Sequence, residues 1–313
     1  MGRSRANEIV KTAGCELVAV ADPDEARGRA ASADLGVPWH PSADELLARR
    51  DVDVVGVWTP TGLHRDLVQA AARAGKHVIT TKPMEVTTER CDEMIAACRD
   101  AGVVLAVDFG YRYDPVMRQV AAAVHEGRLG RPFLIDFRLK WHRPREYFAP
   151  GGWRGTWRYD GGGSMMNQGV HYIDLLWWFF GPVRSVKGHM ARVVHDIETE
   201  DLAAAILVFE NGAVGVAEST TAAEPDMGTR IELHGTEGSI ALDLDVALWK
   251  VAEETAPPES VACRPANVFE DVVMVLRGER RRPTVDGADG RRSVEIITAI
   301  YESARTDRTL VLS

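Results

Sequence analysis

The chain has 313 residues, of which 45% are hydrophobic and 27% charged, a composition typical of folded proteins and not of disordered ones. A net charge of −9 excludes a nucleic-acid footprint, and the longest apolar run near a helix is too short to span a bilayer. The four cysteines show neither paired nor metal-ligand spacing. We therefore expect a reduced, cytoplasmic protein of one or two domains, without metal, nucleic-acid or membrane partners.

The first third of the chain alternates continuous apolar runs with helical patterns. The predicted strands are 17–21, 52–58, 77–80 and 103–109. The predicted helices are 5–12, a segment ending at Leu35, 44–50, 64–74 and 87–100. This α/β alternation predicts a doubly wound, Rossmann-like parallel sheet, and we assign residues 1–109 to a dinucleotide-binding domain.

Ligands of such sheets bind beyond the carboxyl ends of the strands. The residues that end the predicted strands are Asp22, Thr59, Pro60 and Thr61, and Thr81, Lys82 and Pro83. An acidic residue after the second strand of a dinucleotide fold binds the ribose hydroxyls and repels the extra phosphate of NADP. Asp22 therefore favours NAD over NADP, although a helix N-cap is an equal alternative.

The beginning of the sequence departs from the dinucleotide pattern. Such a fold opens with a strand and a glycine-rich turn, and neither precedes the first predicted helix. Gly2 resembles the last glycine of a fingerprint whose first strand and first two glycines are absent. A start codon assigned internally and a natural truncation both explain this beginning, and both stay open. Because the pyrophosphate cradle would then be incomplete, a non-catalytic ligand-binding or regulatory protein is an alternative.

We assign residues 110–313 to an α+β substrate-binding and oligomerisation domain. The predicted helices are 114–127, one that carries His171, 269–277 and 290–304; the predicted strands are 133–139, 183–194, 201–210, 213–221, 229–234, 239–244 and a short terminal one. The segment 141–160 reads as an irregular aromatic loop and 252–266 as a linker. A mostly antiparallel sheet with one helix-covered face predicts a homodimer or homotetramer through its other face.

A triple glycine at 161–163 precedes a predicted helix that carries Asn167, His171 and Asp174 on one face. Glycines at this point let the backbone approach another segment closely. An active-site wall and a turn into a core helix with a buried histidine are both consistent with this pattern.

Four segments occur in an order that resembles the glucose–fructose oxidoreductase, inositol dehydrogenase and rhizopine catabolism (Gfo/Idh/MocA) family. They are 52–64 (VDVVGVWTPTGLH), 74–83 (AGKHVITTKP), 153–157 (WRGTW) and 161–174 (GGGSMMNQGVHYID). The sequence departs from the family in three ways: Thr81 replaces the usual glutamate before Lys82, Asn167 replaces a frequent carboxylate, and the glycine fingerprint is absent. The resemblance implies an NAD(P)-dependent oxidoreductase that oxidises a secondary alcohol of a sugar, inositol or nucleotide-sugar. A redox-neutral NAD-using lyase or glycosidase is a second alternative.

Alcohol oxidation needs a base, a group that stabilises the alkoxide, and a nearby nicotinamide. We expect His171 to be the base and Lys82 to stabilise the alkoxide. Asp174 is expected to orient the imidazole, and Asn167 to bind substrate. The predicted cofactor-binding residues are Gly2, Asp22, Thr59, Pro60, Thr61, His64 and Lys82. The predicted substrate-binding residues are Arg112, Trp153, Arg154, Asn167 and His171.

Overall fold

The computed structural model describes residues 2–148, 152–243, 246–251, 254–257 and 263–312. The helices are α1 (Gly2–Lys11), α2 (Glu25–Leu35), α3 (Ala43–Leu47), α4 (His64–Arg73), α5 (Thr88–Asp100), α6 (Pro115–His125), α7 (Val170–Phe180), α8 (Val268–Leu276) and α9 (Gly287–Thr306). The strands are β1 (Val20–Ala21), β2 (Trp39–His40), β3 (Val54–Val57), β4 (His77–Thr81), β5 (Leu105–Asp108), β6 (Pro132–Lys140), β7 (Val183–Ala191), β8 (Leu202–Phe209), β9 (Val214–Thr220), β10 (Gly228–Gly235), β11 (Gly238–Leu242), β12 (Val246–Val251) and β13 (Leu310–Val311). The predicted linker falls partly outside these residues, as does Met1.

The parallel strands of the first third form two separate pieces. Strands β1 and β2 pair with each other, and β3, β4 and β5 form a three-stranded parallel sheet. Within the described residues no strand joins β1 to β3. The split falls where a doubly wound sheet has its central strand. The predicted parallel α/β fold is confirmed, whereas the two-residue strand β2, too short to show a period, was missed.

Helices α4 and α5 cover one face of the three-stranded sheet. Val68 of α4 and Met94 of α5 belong to the same buried cluster as Val78 of β4 and Val107 of β5. Helix α5 begins at Thr87, whose side chain accepts a hydrogen bond from the Arg90 N–H. The apolar face of each helix is thus buried against the sheet.

The second sheet has eight strands in the order β12-β11-β10-β6-β9-β8-β7-β13. Every pairing is antiparallel except that of β6 with β9, so the predicted mostly antiparallel sheet is confirmed. Its inner face buries Ile135, Phe137 and Leu139 against α7. Strand β12 was not predicted, and α9 extends beyond its predicted limits at both ends.

The last helices return to the first sheet. The Val107 N–H of β5 donates to the Val285 carbonyl at 3.0 Å, directly before α9. Phe269 of α8 packs with Ile79 and Ala106 of the same sheet. The division at residue 109 stays a prediction, since the C-terminal segment packs against both sheets. No helix among the described residues is long and apolar enough to cross a membrane.

Candidate active site

Lys82 joins the parallel sheet to the segment that follows the glycines. It is the first residue after β4, and its Nζ donates to the Asn167 backbone carbonyl at 2.5 Å. Burial lowers the pKa of Lys82 to about 8, while the carboxylates of Asp160 and Asp108 oppose that shift. The ammonium is therefore mostly protonated at neutral pH and can stabilise a negative oxygen beside it.

His171 stands in the first turn of α7 between two aromatic rings. Its ring centroid lies 6.1 Å from that of Phe109 and 5.4 Å from that of Tyr111. Burial, followed by the charges of Lys82 and Arg5, holds the pKa of His171 well below its usual value. The ring is neutral at pH 7, and its buried Nδ1 has no hydrogen-bond partner among the described residues. A neutral imidazole with an unbonded nitrogen can bind or accept a substrate proton.

The glycines permit close contact with the segment before β8, as predicted. A Cβ on Gly163 would lie 1.6 Å from the Glu200 carbonyl oxygen, and Gly161 has a φ of +76°. The chain then forms a π-helix over Ser164–Gly169, followed directly by α7. One-turn π segments are frequent at functional sites. The wider turn carries Asn167, whose Nδ2 donates to Asp160 at 2.6 Å.

Glu200 binds the start of the π-helix. Its carboxylate accepts from the Gly163 N–H at 2.6 Å, from the Met165 N–H at 2.8 Å and from the Tyr301 hydroxyl at 2.9 Å. Burial raises the pKa of Glu200 to about 7, and these donors oppose the shift. This carboxylate fixes the position of the turn because it satisfies backbone donors that the helix leaves unpaired.

Arg112 and Asp174 form a buried ion pair that the sequence did not predict. The guanidinium of Arg112 donates twice to Asp174, at 2.7 and 2.8 Å. It also stacks on Trp178, with the guanidinium carbon 4.7 Å from the ring centroid. Both oxygens of Asp174 thus bind Arg112, and the predicted site roles of the two residues stay predictions. The ion pair itself was missed because a helix face indicates the direction of a side chain and not its partner.

His64 is also buried, with each ring nitrogen next to a backbone carbonyl, and its predicted contact with a cofactor stays a prediction. Its Nδ1 lies 3.1 Å from the Met84 carbonyl and its Nε2 3.0 Å from the Thr59 carbonyl. Both ring nitrogens thus face backbone carbonyls, and burial lowers the pKa of the ring. His64 instead ties the turn after β3 to the segment that follows Lys82.

The remaining predicted cofactor residues lie along the strand ends. Asp22 follows β1, and its Oδ1 accepts from the Asp24 N–H at 2.9 Å, while Arg27 lies 3.3 Å from the same oxygen. Thr59, Pro60 and Thr61 follow β3, and Gly2 begins α1. These positions suit a dinucleotide laid across the strand ends, as does the unbonded nitrogen of His171. Their contacts with a cofactor stay predictions.

Trp153 and Arg154 belong to the loop before the glycines. The guanidinium carbon of Arg154 lies 4.5 Å from the ring centroid of Tyr147 and 4.9 Å from that of Trp153. The hydroxyl of Tyr147 accepts from Gln168, next to Asn167, at 3.3 Å. Arg154 is exposed and forms no ion pair within the described ranges, so its charge is available to an anionic ligand.

Comparison with known proteins identifies the family. Residues 1–109 match the model "Oxidoreductase family, NAD-binding Rossmann fold", and residues 117–241 match "GFO/IDH/MocA C-terminal domain". The chain belongs to the Gfo/Idh/MocA oxidoreductases. The resemblance inferred from the four segments is thereby confirmed.

Named relatives of this oxidoreductase act on sugars. It is 29% identical to D-apiose dehydrogenase from Paraburkholderia graminis (96% of this chain, 84% of the relative). It is 31% identical to 1,5-anhydro-D-fructose reductase from Ensifer adhaerens (95% and 91%). Among solved structures, the WlbA dehydrogenase from Bordetella pertussis, in complex with NADH and UDP-GlcNAcA, superposes with a TM-score of 0.93 at 33% identity (100% and 95%). The enzyme is a dehydrogenase that acts on CH–OH groups. This finding favours the oxidoreductase prediction over the alternative of a non-catalytic ligand-binding protein.

Sequence reasoning missed Asp160 and Glu200 in this oxidoreductase. Asp160 directly precedes the glycines, so its position was a usable signal, but it was read as part of an irregular loop. Glu200 is 37 positions away from Gly163, and nothing local marks it. Asp108 was read as part of β5 alone; it forms an ion pair with Arg5 of α1 at 2.8 Å.

Proposed function

We propose that the enzyme oxidises a secondary hydroxyl of a nucleotide-activated sugar acid, with NAD⁺ as the hydride acceptor. The observation that carries the proposal is the contact between Lys82 and the backbone of Asn167, four residues before His171. It brings a cation, an amide and a neutral imidazole to the carboxyl end of a parallel strand, where dinucleotides bind. The likeness to WlbA over the whole chain supports the substrate class.

The chain's own residues divide the chemistry as follows. The Lys82 ammonium donates to the substrate hydroxyl and stabilises the oxygen as it becomes negative. The neutral His171 accepts the hydroxyl proton, and Asn167 fixes the orientation of the sugar ring. When bound, NAD⁺ would accept the hydride that leaves the carbinol carbon, so that the alcohol becomes a carbonyl and the proton and hydride are both accounted for.

The substrate class also rests on Arg154. The chain as a whole is acidic, with a net charge of −9, yet the loop before the glycines presents this exposed guanidinium. A guanidinium binds a carboxylate or phosphate through paired hydrogen bonds. The flat faces of Tyr147 and Trp153 beside it suit a sugar ring or a base.

The test is a panel of alcohols followed by nicotinamide absorbance. We expect reduction of NAD⁺ with UDP-GlcNAcA, slower reduction with the uncharged UDP-GlcNAc, and little with apiose or inositol. Arg154→Ala should remove most of the preference for the acid. Turnover of a free pentose or inositol in preference to both nucleotide sugars would reject the proposed substrate class.

Cofactor choice is tested separately by binding. Titration of NAD⁺ and NADP⁺ into this chain, and into a version extended upstream in frame, measures both affinities without substrate. Asp22 supports a preference for NAD⁺. Asp22→Ala should reduce the difference between the NAD⁺ and NADP⁺ affinities, because it removes the carboxylate that repels a 2′-phosphate. Equal affinity of both cofactors for the unaltered protein would contradict this assignment.

We further propose a homodimer or homotetramer in a reducing, cytoplasmic location. The outer face of the eight-stranded sheet exposes Ile206, Val214 and Val216, an apolar set suited to a second copy. The thiols of Cys15, Cys91 and Cys98 are free, which supports the location. Light scattering during size-exclusion chromatography measures the assembly, and Ile206→Glu should shift it to monomer; a monomeric unaltered protein would oppose the proposal.

A further inference from the structure

Asp160 is a buried carboxylate that the chemistry above does not use. It is 1% exposed and lies directly before the glycines. One oxygen accepts from the Gly155 N–H at 2.9 Å and the other from Asn167 Nδ2 at 2.6 Å. Neither donor is charged, and no cation forms an ion pair with Asp160 within the described residues. A buried anion bonded only to neutral donors is unfavourable unless charge nearby compensates it.

Lys82 and, after it, Arg154 supply the compensating charge. The Nζ of Lys82 donates to the backbone carbonyl of Asn167, and the side chain of Asn167 donates to Asp160. Lys82 and Asp160 therefore both bind Asn167. The Asp160 carboxylate favours the protonated form of Lys82, and Lys82 favours the ionised form of Asp160. Each charge thus stabilises the other without direct contact.

The same carboxylate holds the loop that carries Arg154. The Gly155 N–H donates to Asp160, and the Gly155 carbonyl accepts from the Glu198 and Thr199 N–H groups, at 2.9 and 3.2 Å. A chain of hydrogen bonds therefore runs from the loop through Asp160 to Asn167. Loosening it would displace the amide and the ammonium together.

We propose that Asp160 is a positioning residue that holds Asn167 in place and keeps Lys82 cationic at the reacting hydroxyl. This inference rests on the proposed role of Lys82. The carboxylate reaches the substrate only through these two side chains. Asp160 thereby connects the loop that carries Arg154 with the π-helix and with Lys82 at the end of β4.

Several other charged groups face this pair. Arg154 acts on Asp160 from the loop, and Asp108 acts on Lys82 from the end of β5. The charges of Lys82 and Arg5 bear on His171 of α7. Burial raises the pKa of Asp160 to about 6, so the carboxylate is ionised while Lys82 is protonated between about pH 6 and 8.

The decisive variant is Asp160→Asn, which keeps the shape, removes the charge and retains one of the two acceptor oxygens. Removing a nearby opposite charge should lower the midpoint of Lys82 deprotonation by about one pH unit. The alkaline limb of kcat/KM should move down by the same amount, and kcat should fall about 10- to 100-fold. Amine acylation of Lys82 against pH, followed by peptide mass spectrometry, reads the midpoint without any substrate.

Asp271→Asn is the matched control. Asp271 is a fully buried carboxylate of α8 that accepts from the Tyr113 hydroxyl at 3.0 Å, and its ionic partner is Arg280, not Lys82. It should lower the melting temperature and leave the acylation midpoint unchanged. If Asp160→Asn fails to fold, Asn167→Ala replaces it: losing a donor raises the pKa of Asp160, so the acid limb should move to higher pH.

Unchanged acylation and pH profiles in folded Asp160→Asn would overturn the proposal, as would an equal midpoint shift in Asp271→Asn. Failure of the proposed function is distinguishable. In that case the acylation midpoint of Lys82 still shifts in Asp160→Asn, while the unaltered enzyme oxidises none of the alcohols on the panel.

Discussion

The buried pair of Arg112 and Asp174 allows a sharp test, because sequence and structure assign it different roles. The side chains are 4% and 1% exposed, and two hydrogen bonds join them. Arg112→Ala would leave the Asp174 carboxylate buried without its cation. Breaking such a pair costs about 3–5 kcal/mol. At about 2–4 °C per kcal/mol for a large domain, the melting temperature should fall by roughly 10 °C.

Calorimetry and steady-state kinetics on the same samples separate the two roles. Arg112→Met combined with Asp174→Leu should recover much of the lost stability, since it removes both charges at once. Arg154→Ala is the matched control: this exposed arginine should barely change the melting temperature. Losing one charged hydrogen bond of about 1.5–3 kcal/mol should instead lower kcat/KM on an acidic sugar about 10- to 100-fold. A stable Arg112→Ala enzyme with a raised KM would refute the structural role.

Three further outcomes are expected. Lys82→Ala and His171→Ala should each abolish turnover without lowering the melting temperature by more than a few degrees, as calorimetry would show. Because burial brings the pKa of Lys82 to about 8, activity should fall as pH rises through 8, where the ammonium deprotonates; a profile flat to pH 10 would contradict the assignment. Gly163→Ala should destabilise the enzyme by about 3 kcal/mol or more, since its Cβ meets the Glu200 carbonyl, whereas Gly110→Ala, which meets nothing within 4 Å, should not.

Local pattern determined the parts of the molecule that depend on neighbours in the chain. Continuous apolar runs alternating with helices predicted parallel strands, because a strand covered on both faces is apolar throughout. The same pattern placed Lys82 at a strand end. The glycines at 161–163 predicted a close approach to another segment, but the sequence did not show that this segment contains Glu200.

The pairing of charges was decided only by the tertiary structure. Asp174 lies in α7, where the sequence predicts a helix, but the guanidinium that neutralises it comes from Arg112, 62 positions earlier. Asp160 accepts its hydrogen bond from Asn167 only because the loop before the glycines packs beside the π-helix. The spacing of residues along a helix indicates the direction of each side chain. The ionic partner of a side chain depends instead on which distant segment packs against the helix in the folded protein. The proposed roles of His171 and Lys82 therefore began in the sequence, whereas the buried carboxylates near them were found only in the fold.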